Sequence, residues 1–339
     1  MHIPENYLSP ATCGVMACAM VPVWKHAISA TVKELPKDKM PLLGVGASLS
    51  FLAMMFNVPL VGGTTGHAVG GTLISLLFGP NAACIAVSVA LLIQALIFGD
   101  GGILSFGANC FNMAFILPYL GYYIYRLIMK YSRNKSDLIH SVAAFVGSYV
   151  GINAAAFFAA IEFGIQPMLF KDKLGHALYC PYGLNIAIPA MMIPHLVVAG
   201  VVEAMFTVAV FNFVRKSSPD LIFKNENKTT EKKRRMPVYI LVATMVALTP
   251  LGLIATGTAW GEWDSSEILN VTNAGKKITY VPEGLKNGWS LKALFPDYAI
   301  SGLNETIGYI LSAILGVAIL VIIFKIAFAA VNGNREYDT

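Results

Sequence analysis

The chain opens Met1-His2-Ile3-Pro4, which places an α-amine, a peptide nitrogen and an imidazole within two residues. With a free amine, Met1 N, the deprotonated His2 amide and His2 Nδ1 close two adjoining chelate rings on one metal ion. Three nitrogens in a plane leave one planar position for a further imidazole, and square-planar nitrogen sets favour Ni(II) or Cu(II). Chain ends are ordinarily frayed, so His2 alone carries little weight. The other half of the constellation is Gly62-Gly63-Thr64-Thr65-Gly66-His67, a histidine in a glycine-rich bend. Glycines permit close backbone approach and unusual φ/ψ, which suits a place where a terminus must thread inward. An ordinary loop histidine is the competing reading, and topology decides between them.

Other polar residues fall inside apolar stretches. Gln94, Asn109 and Asn112 lie near the ends of two such stretches on the His67 side. Asn109 and Asn112 are three apart, which places them on one face of a regular helix. Amides at membrane depth often serve only as interhelical hydrogen-bond partners. The alternative is a shell that orients the histidines through their second ring nitrogen, and Thr64 and Thr65 are candidates for the same shell. His195 and Glu203, eight residues apart behind Pro194, share a face of one apolar segment. A carboxylate there is costly unless paired or solvated, and a structural Glu–His or Glu–backbone pair explains it as well as a functional role. Neither residue is assigned to the metal.

Composition defines the solvent. Of 339 residues, 56% are hydrophobic and only 13% charged, and mean hydropathy is +0.64, whereas soluble domains carry about 25% charged residues. The expected fold is all-α, a polytopic membrane helical bundle. Apolar segments cover 11–30, 41–56, 68–78, 82–98, 106–129, 138–163, 185–213, 238–255 and 306–330, giving about nine transmembrane helices. Five cysteines with no paired spacing give neither a disulfide framework nor a zinc signature. No basic region precedes the first apolar run, so no cleaved signal peptide is expected. Walker A, HExxH and GxSxG patterns are missing from the sequence, and with them any recognisable hydrolytic machinery.

Segment 68–78 is short enough to be re-entrant. The cations decide it: Lys33, Lys37 and Lys39 lie in one short loop, and Arg126 to Lys135 in another. The positive-inside rule puts both in the cytoplasm, so an even number of crossings separates them and 68–78 must cross. The N-terminus is then outside, with the His67 bend, the Gly99–Gly102 bend, the 164–184 loop and the 256–303 region. The basic linker holding Lys224, Lys228, Lys232, Lys233, Arg234 and Arg235 falls inside. The small positive charge of +5 thus reports orientation rather than affinity for nucleic acid. Turn residues interleaved with aromatics make 256–303 a small ordered extracytoplasmic lobe, without His or Cys.

The opening Met1–Pro10, the Gly62–Gly71 stretch, Gln94, and Gly101-Gly102 through Asn109-Cys110-Phe111-Asn112 resemble the nickel and cobalt substrate-binding (S) components of energy-coupling-factor transporters, the NikM/CbiM type. The resemblance covers about 1–216. Residues 237–330 resemble the small two-span NikN-type subunit, through Trp260–Trp263, Pro282–Leu285 and Pro296–Tyr298. Asn6 stands where that family often has Gly, and Glu283 where Asp is usual. The implied organisation is a seven-helix metal-binding component (1–216), a cytoplasmic linker (217–236), a two-helix unit with the lobe (237–330) and a tail (331–339).

The resemblance further implies that Met1 N, the His2 amide and imidazole, and the His67 imidazole bind the metal. It implies a transmembrane coupling subunit and two ATPase subunits as partners, in a bacterial or archaeal cell membrane. The expected function is capture of Ni(II) for uptake, with Co(II) as the alternative, with the ion as substrate and no cofactor. A stand-alone channel or carrier is a further alternative, but a channel wants polar lining across the full depth and Glu203 is the lone acidic residue in mid-membrane. A metalloenzyme would need an open coordination position, and a filled nitrogen plane has none.

Overall fold

The computed structural model describes residues 1–224, 235–273 and 276–336. Lys228, Lys232, Lys233 and Arg234 of the linker lie outside the described residues, as does the end of the tail from 337. Helix α1 (Pro10–Glu34) starts at Ser9, whose hydroxyl accepts the Thr12 N–H, with Pro10 in the first turn, the usual chemistry of an N-terminal cap. Then come α2 (Leu43–Met55), a hairpin of β1 (Val58–Pro59) and β2 (Thr65–Gly66), α3 (Gly71–Phe78) and α4 (Pro80–Phe98). The bundle continues with α5 (106–131), α6 (Asp137–Leu169), α7 (Leu184–Ser217), α8 (Met236–Ile254) and α9 (Glu305–Glu336). Six helices among the described residues are long and apolar enough to cross a membrane: α1, α4, α6, α7, α8 and the 305–330 part of α9. The protein is a multi-pass helical membrane protein.

The stretch expected as a spanning helix over 68–78 is corrected by the structure. Only Gly71–Phe78 is helical, about 12 Å at 1.5 Å per residue, less than half a bilayer core. The chain nevertheless travels from one end of the bundle to the other over residues 56–78. At its start, the carbonyl of Met55 accepts the Tyr309 hydroxyl, beside the lobe. At its end, Leu76 O accepts the Phe223 N–H, and Asn81 donates to Glu34, among the basic loops. Every residue of α3 is buried. Irregular backbone at membrane depth is tolerated where protein, not lipid, surrounds it.

Among the described residues, three helices carry a π-helical turn, over Gln94–Phe98 in α4, Cys110–Ile116 in α5 and His195–Ala199 in α7. Such turns shift the facing of the succeeding residues about the helix axis and cluster at functional sites.

Helix α2 is buried on every side and packs lengthwise on α9. A Cβ on Gly44 would lie 3.0 Å from Val321 Cα. The small-residue face Gly44-x-x-x-Ser48 is therefore occupied at Gly44 by this chain's own last helix. The described residues of 256–303 form a lobe with little regular structure: a pair of two-residue strands, one turn of helix at Glu283–Asn287 and a 3-10 turn at Pro296–Tyr298. The lobe lies against the N-terminal segment through a cluster of Tyr7, Phe163, Tyr182, Trp260 and Trp263.

Candidate metal centre

Residues 1–8 do not fray. They thread into the bundle, with Met1 5% and His2 2% exposed. The strand is gripped through its backbone. Asn109 Oδ1 accepts the Ile3 N–H at 2.8 Å while its Nδ2 donates to Ile3 O at 3.0 Å, so one amide side chain bonds both backbone groups of Ile3. Ile3 O also accepts from Gly102 N and Ser105 Oγ, and Glu5 accepts the N–H groups of Ile103 and Leu104. Gly102 permits this approach because a Cβ there would meet Glu5 N at 2.7 Å and Pro4 C at 2.9 Å. The register of the terminus is thereby set to within a residue.

His67 arrives from the other side. The β1–β2 hairpin turns at Gly62 and Gly63, both at positive φ, and closes with Leu60 N donating to Thr64 O. Beyond His67, the buried Glu203 carboxylate accepts Val69 N at 2.7 Å and Gly70 N at 3.0 Å. Gly70, at φ 72, is the N-cap of α3, so the carboxylate sits at the positive end of a short helix. Ser50 donates to Val69 O. Glu203 thus forms the Glu–backbone pair, and its role is to hold the bend that carries His67.

The two imidazoles meet. His67 Nε2 lies 3.2 Å from His2 Nδ1, and the ring centroids are 4.9 Å apart. His67 Nδ1 is 3.1 Å from Ala68 O, a bond that puts the ring proton on Nδ1 and leaves the Nε2 lone pair facing His2. Burial, with the charge of the N-terminal amine adding to it, lowers the His2 pKa to about 3. The ring is therefore neutral at physiological pH. His2 Nδ1 is also 3.0 Å from Asp100 Oδ1, which accepts its proton in the neutral ring. His2 Nε2 and Gln94 Oε1 are each without a hydrogen-bond partner, and the Gln94 side chain stands close enough to favour protonation of His2.

The lobe contributes to the same centre. Glu262 Oε1 is 3.5 Å from the Met1 amine. Burial raises the Glu262 carboxyl above its ordinary range, against the opposing pull of the amine. Tyr298 donates to Asp100 Oδ2 at 2.5 Å, and Gln94 Nε2 donates to Tyr298 Oη at 2.8 Å and to Asp100 Oδ2 at 3.2 Å. Trp260 N donates to Thr64 Oγ1 at 2.7 Å, and Thr65 Oγ1 donates to Gly257 O at 3.0 Å.

Several expected roles are redistributed. Thr64 and Thr65 tie the hairpin to the lobe rather than orienting a histidine. Asn109 holds the terminus, while Asn112 turns away and donates to Glu162 at 2.8 Å. The π-helical turn beginning at Cys110 separates the two faces. His195 is satisfied within its own helix, 2.7 Å from Met191 O, and stands apart from the histidine pair. Sequence reasoning missed Asp100, Glu262 and Tyr298. Asp100 had a signal, since Gly99-Asp100-Gly101-Gly102 is a glycine-bracketed bend like that of His67. Glu262 and Tyr298 lie in the Trp260–Trp263 and Pro296–Tyr298 motifs, but nothing in their spacing linked them to the terminus. Among the described residues no group of three or more His, Cys, Asp or Glu side chains is assembled to hold a metal. A site here needs main-chain or terminal nitrogens beside the two imidazoles.

Comparison with known proteins agrees with this organisation. Residues 2–221 match the CbiM family, described as the cobalt uptake substrate-specific transmembrane region, and residues 234–333 match the PDGLE domain. The probable fused nickel transport protein LarMN of Lactiplantibacillus plantarum is 49% identical, over 96% of this chain and 97% of that protein. The fused nickel transport protein NikMN of Rhodobacter capsulatus is 42% identical over 95% of each. A crystal structure of a transition metal transporter, 54% identical, superposes with a TM-score of 0.60 over 64% of this chain and 93% of its own. The chain belongs to the CbiM family of substrate-specific transmembrane proteins, with a PDGLE domain behind it.

Proposed function

We propose that this transition-metal uptake protein captures Ni(II), held by Met1 N, the His2 amide and Nδ1, and His67 Nε2. The observation that carries the reading is the 3.2 Å approach of His67 Nε2 to His2 Nδ1 next to a buried terminal amine. Four nitrogens about 2.0 Å from a metal at the corners of a square put neighbours about 2.8 Å apart. A closing movement of a few tenths of an ångström brings the imidazoles to that spacing. When the metal takes His2 Nδ1, the ring proton passes to Nε2, where Gln94 Oε1 is available to accept its hydrogen bond, and the His2 amide proton and one proton of the Met1 ammonium are released to solvent. Asp100, which holds the Nδ1 proton beforehand, stays as a negative charge beside the cation.

Nickel is favoured because the relatives that match along the whole chain are nickel transport proteins. The cobalt transport protein CbiM of Thermosipho melanesiensis is 29% identical over 66% of the chain, so Co(II) remains the alternative substrate. Without a phosphate-binding loop in the sequence, the energy comes from elsewhere: a coupling subunit and two ATPase subunits of the energy-coupling-factor type. The cations of the 33–39 and 126–135 loops support a reading in which their end of the bundle is cytoplasmic and the terminus lies outside. The chain then crosses nine times, with 56–78 making one of the crossings through irregular chain.

The test is titration of Ni(II) and Co(II) into the purified protein with its native terminus and with an uncleaved N-terminal tag. The tag replaces the amine by an amide and blocks threading. Loss of tight binding in the tagged form is expected, and undiminished affinity there would overturn the site. Uptake into liposomes should require the coupling subunit and ATPases, whereas uptake by the chain alone would favour a carrier.

A further inference from the structure

At the end of the bundle opposite the histidines, α5, α6 and the inner end of α7 enclose a cavity of about 580 Å³. Arg126, Lys135, Arg215 and Lys224 line it, against one carboxylate, Asp137. Asp137 pairs with Arg215 at 3.0 Å. Rings of the cavity support two of the cations: the Arg215 guanidinium lies 5.8 Å from the Phe211 ring and Lys224 Nζ 4.9 Å from that of Phe223. The positive-inside rule accounts for the sign of this charge. It does not account for its convergence on one hollow, since cations serving only orientation splay outward into headgroups and water.

The shape of the surroundings says what the charge is for. Arg126 stands in the wall of two further cavities. One, about 220 Å³, it shares with Glu34, Asn81 and Lys224. The other, about 440 Å³, runs along the side of α5 between Tyr123, Ile124, Leu127 and Lys130. That last groove is apolar and opens sideways, with Tyr123 59% and Leu127 54% exposed. Arg126 therefore stands between a cationic hollow inside the bundle and an apolar groove on the outer side of α5. A soluble polyanion would use the first and leave the second bare. An amphiphile with an anionic head uses both.

We infer that this end of the protein binds an anionic phospholipid, its phosphate held by Arg126 and Lys224 and one acyl chain lying along Tyr123 and Leu127. Guanidinium groups suit the fork of a phosphate, and basic hollows between transmembrane helices on the cytoplasmic side are known to take acidic headgroups. The site lies at the far end of the bundle from the metal centre and does not depend on it.

The test uses the purified full chain in detergent. Phosphatidylglycerol, phosphatidylcholine with the same acyl chains, or inorganic phosphate is added, and thermal unfolding and lipid retention by native mass spectrometry are followed. Phosphatidylglycerol should raise the unfolding temperature saturably and be retained in preference to phosphatidylcholine, while phosphate should do neither. The double substitution Arg126→Gln, Lys224→Gln should weaken that effect by about tenfold or more. Arg126→Lys should retain part of it, and Lys25→Gln, on exposed α1, should leave it intact. If the double variant does not fold, preferential retention by the unaltered protein carries the test. Equal stabilisation by phosphate, no preference between the two lipids, or an unchanged response in a folded double variant would each overturn the proposal.

Discussion

Glu203 reaches across from α7 and accepts the backbone N–H of Val69 at 2.7 Å, two residues beyond the histidine that faces the chain terminus. A carboxylate buried in the bundle thus acts on His67 without touching it. Removing it leaves two buried N–H groups unpaired and frees the bend. Glu203→Ala is expected to weaken Ni(II) affinity about 10- to 100-fold, the range for residues that orient metal ligands. Glu203→Gln, which keeps one acceptor, should fall between. Calorimetric titration with folding checked by size exclusion measures this, and full affinity in Glu203→Ala would sink the positioning role.

His67→Ala should abolish tight binding altogether, since no other imidazole stands beside His2. His26→Ala, on exposed α1, is the matched control and should bind normally. An unchanged titration for His67→Ala would remove the fourth nitrogen from the proposed set.

Gly102→Ala tests the threading itself. Its Cβ would fall 2.7 Å from Glu5 N and 2.5 Å from Ser105 Oγ, and backbone cannot yield as a flexible side chain can. The variant should bind Ni(II) at least about tenfold more weakly, with Met1 and His2 displaced. Proteolysis of the terminus should accelerate in parallel. A variant that keeps both affinity and protection would show that the grip on Ile3 is dispensable.

The lobe is accessible to a gentler change. Tyr298→Phe deletes the hydroxyl that donates to Asp100 while keeping the ring stacked 4.8 Å from Phe98. Stability should change by only about 1 kcal/mol, the worth of a hydrogen bond. Metal affinity should fall by about tenfold, because Asp100 is then held beside His2 only by the longer Gln94 bond. Thermal unfolding and titration of the same preparation separate the two effects. A loss of stability without loss of affinity would make Tyr298 purely structural.

Thiol chemistry offers an independent check on the packing of the 164–184 loop. Burial pushes the Cys180 thiol up to about 12. At pH 8, four units below that value, it is almost entirely protonated and inert, since the thiolate is the nucleophile. Cys18 is exposed on α1 and should alkylate readily in detergent. Mass spectrometry after iodoacetamide treatment should find Cys180 unmodified until the protein unfolds, and early labelling would contradict the burial.

Much of this protein was legible in the order of its residues. Apolar runs are local features, and the bilayer converts them directly into helices. The proposed Met1–His2 chelate is local too, because its chelate rings would span two adjacent residues. The glycine-rich bend marked His67 because glycine alone makes positive φ inexpensive. What the sequence could not show depends on contacts between distant segments. The length of α3, the π-helical turns that turn Asn112 away from Asn109, and the filling of the Gly44 face by α9 all arise from packing, which overrides helical periodicity. Glu203, Asp100, Glu262 and Tyr298 look like isolated polar residues along the chain. Only the tertiary structure brings an acid from α7 to the backbone of the His67 bend, Glu262 of the lobe to the terminus 261 residues away, and Tyr298 of the lobe to Asp100, 198 residues away. A buried hydrogen bond has no sequence period, and its partner is chosen by where the fold leaves an unpaired group.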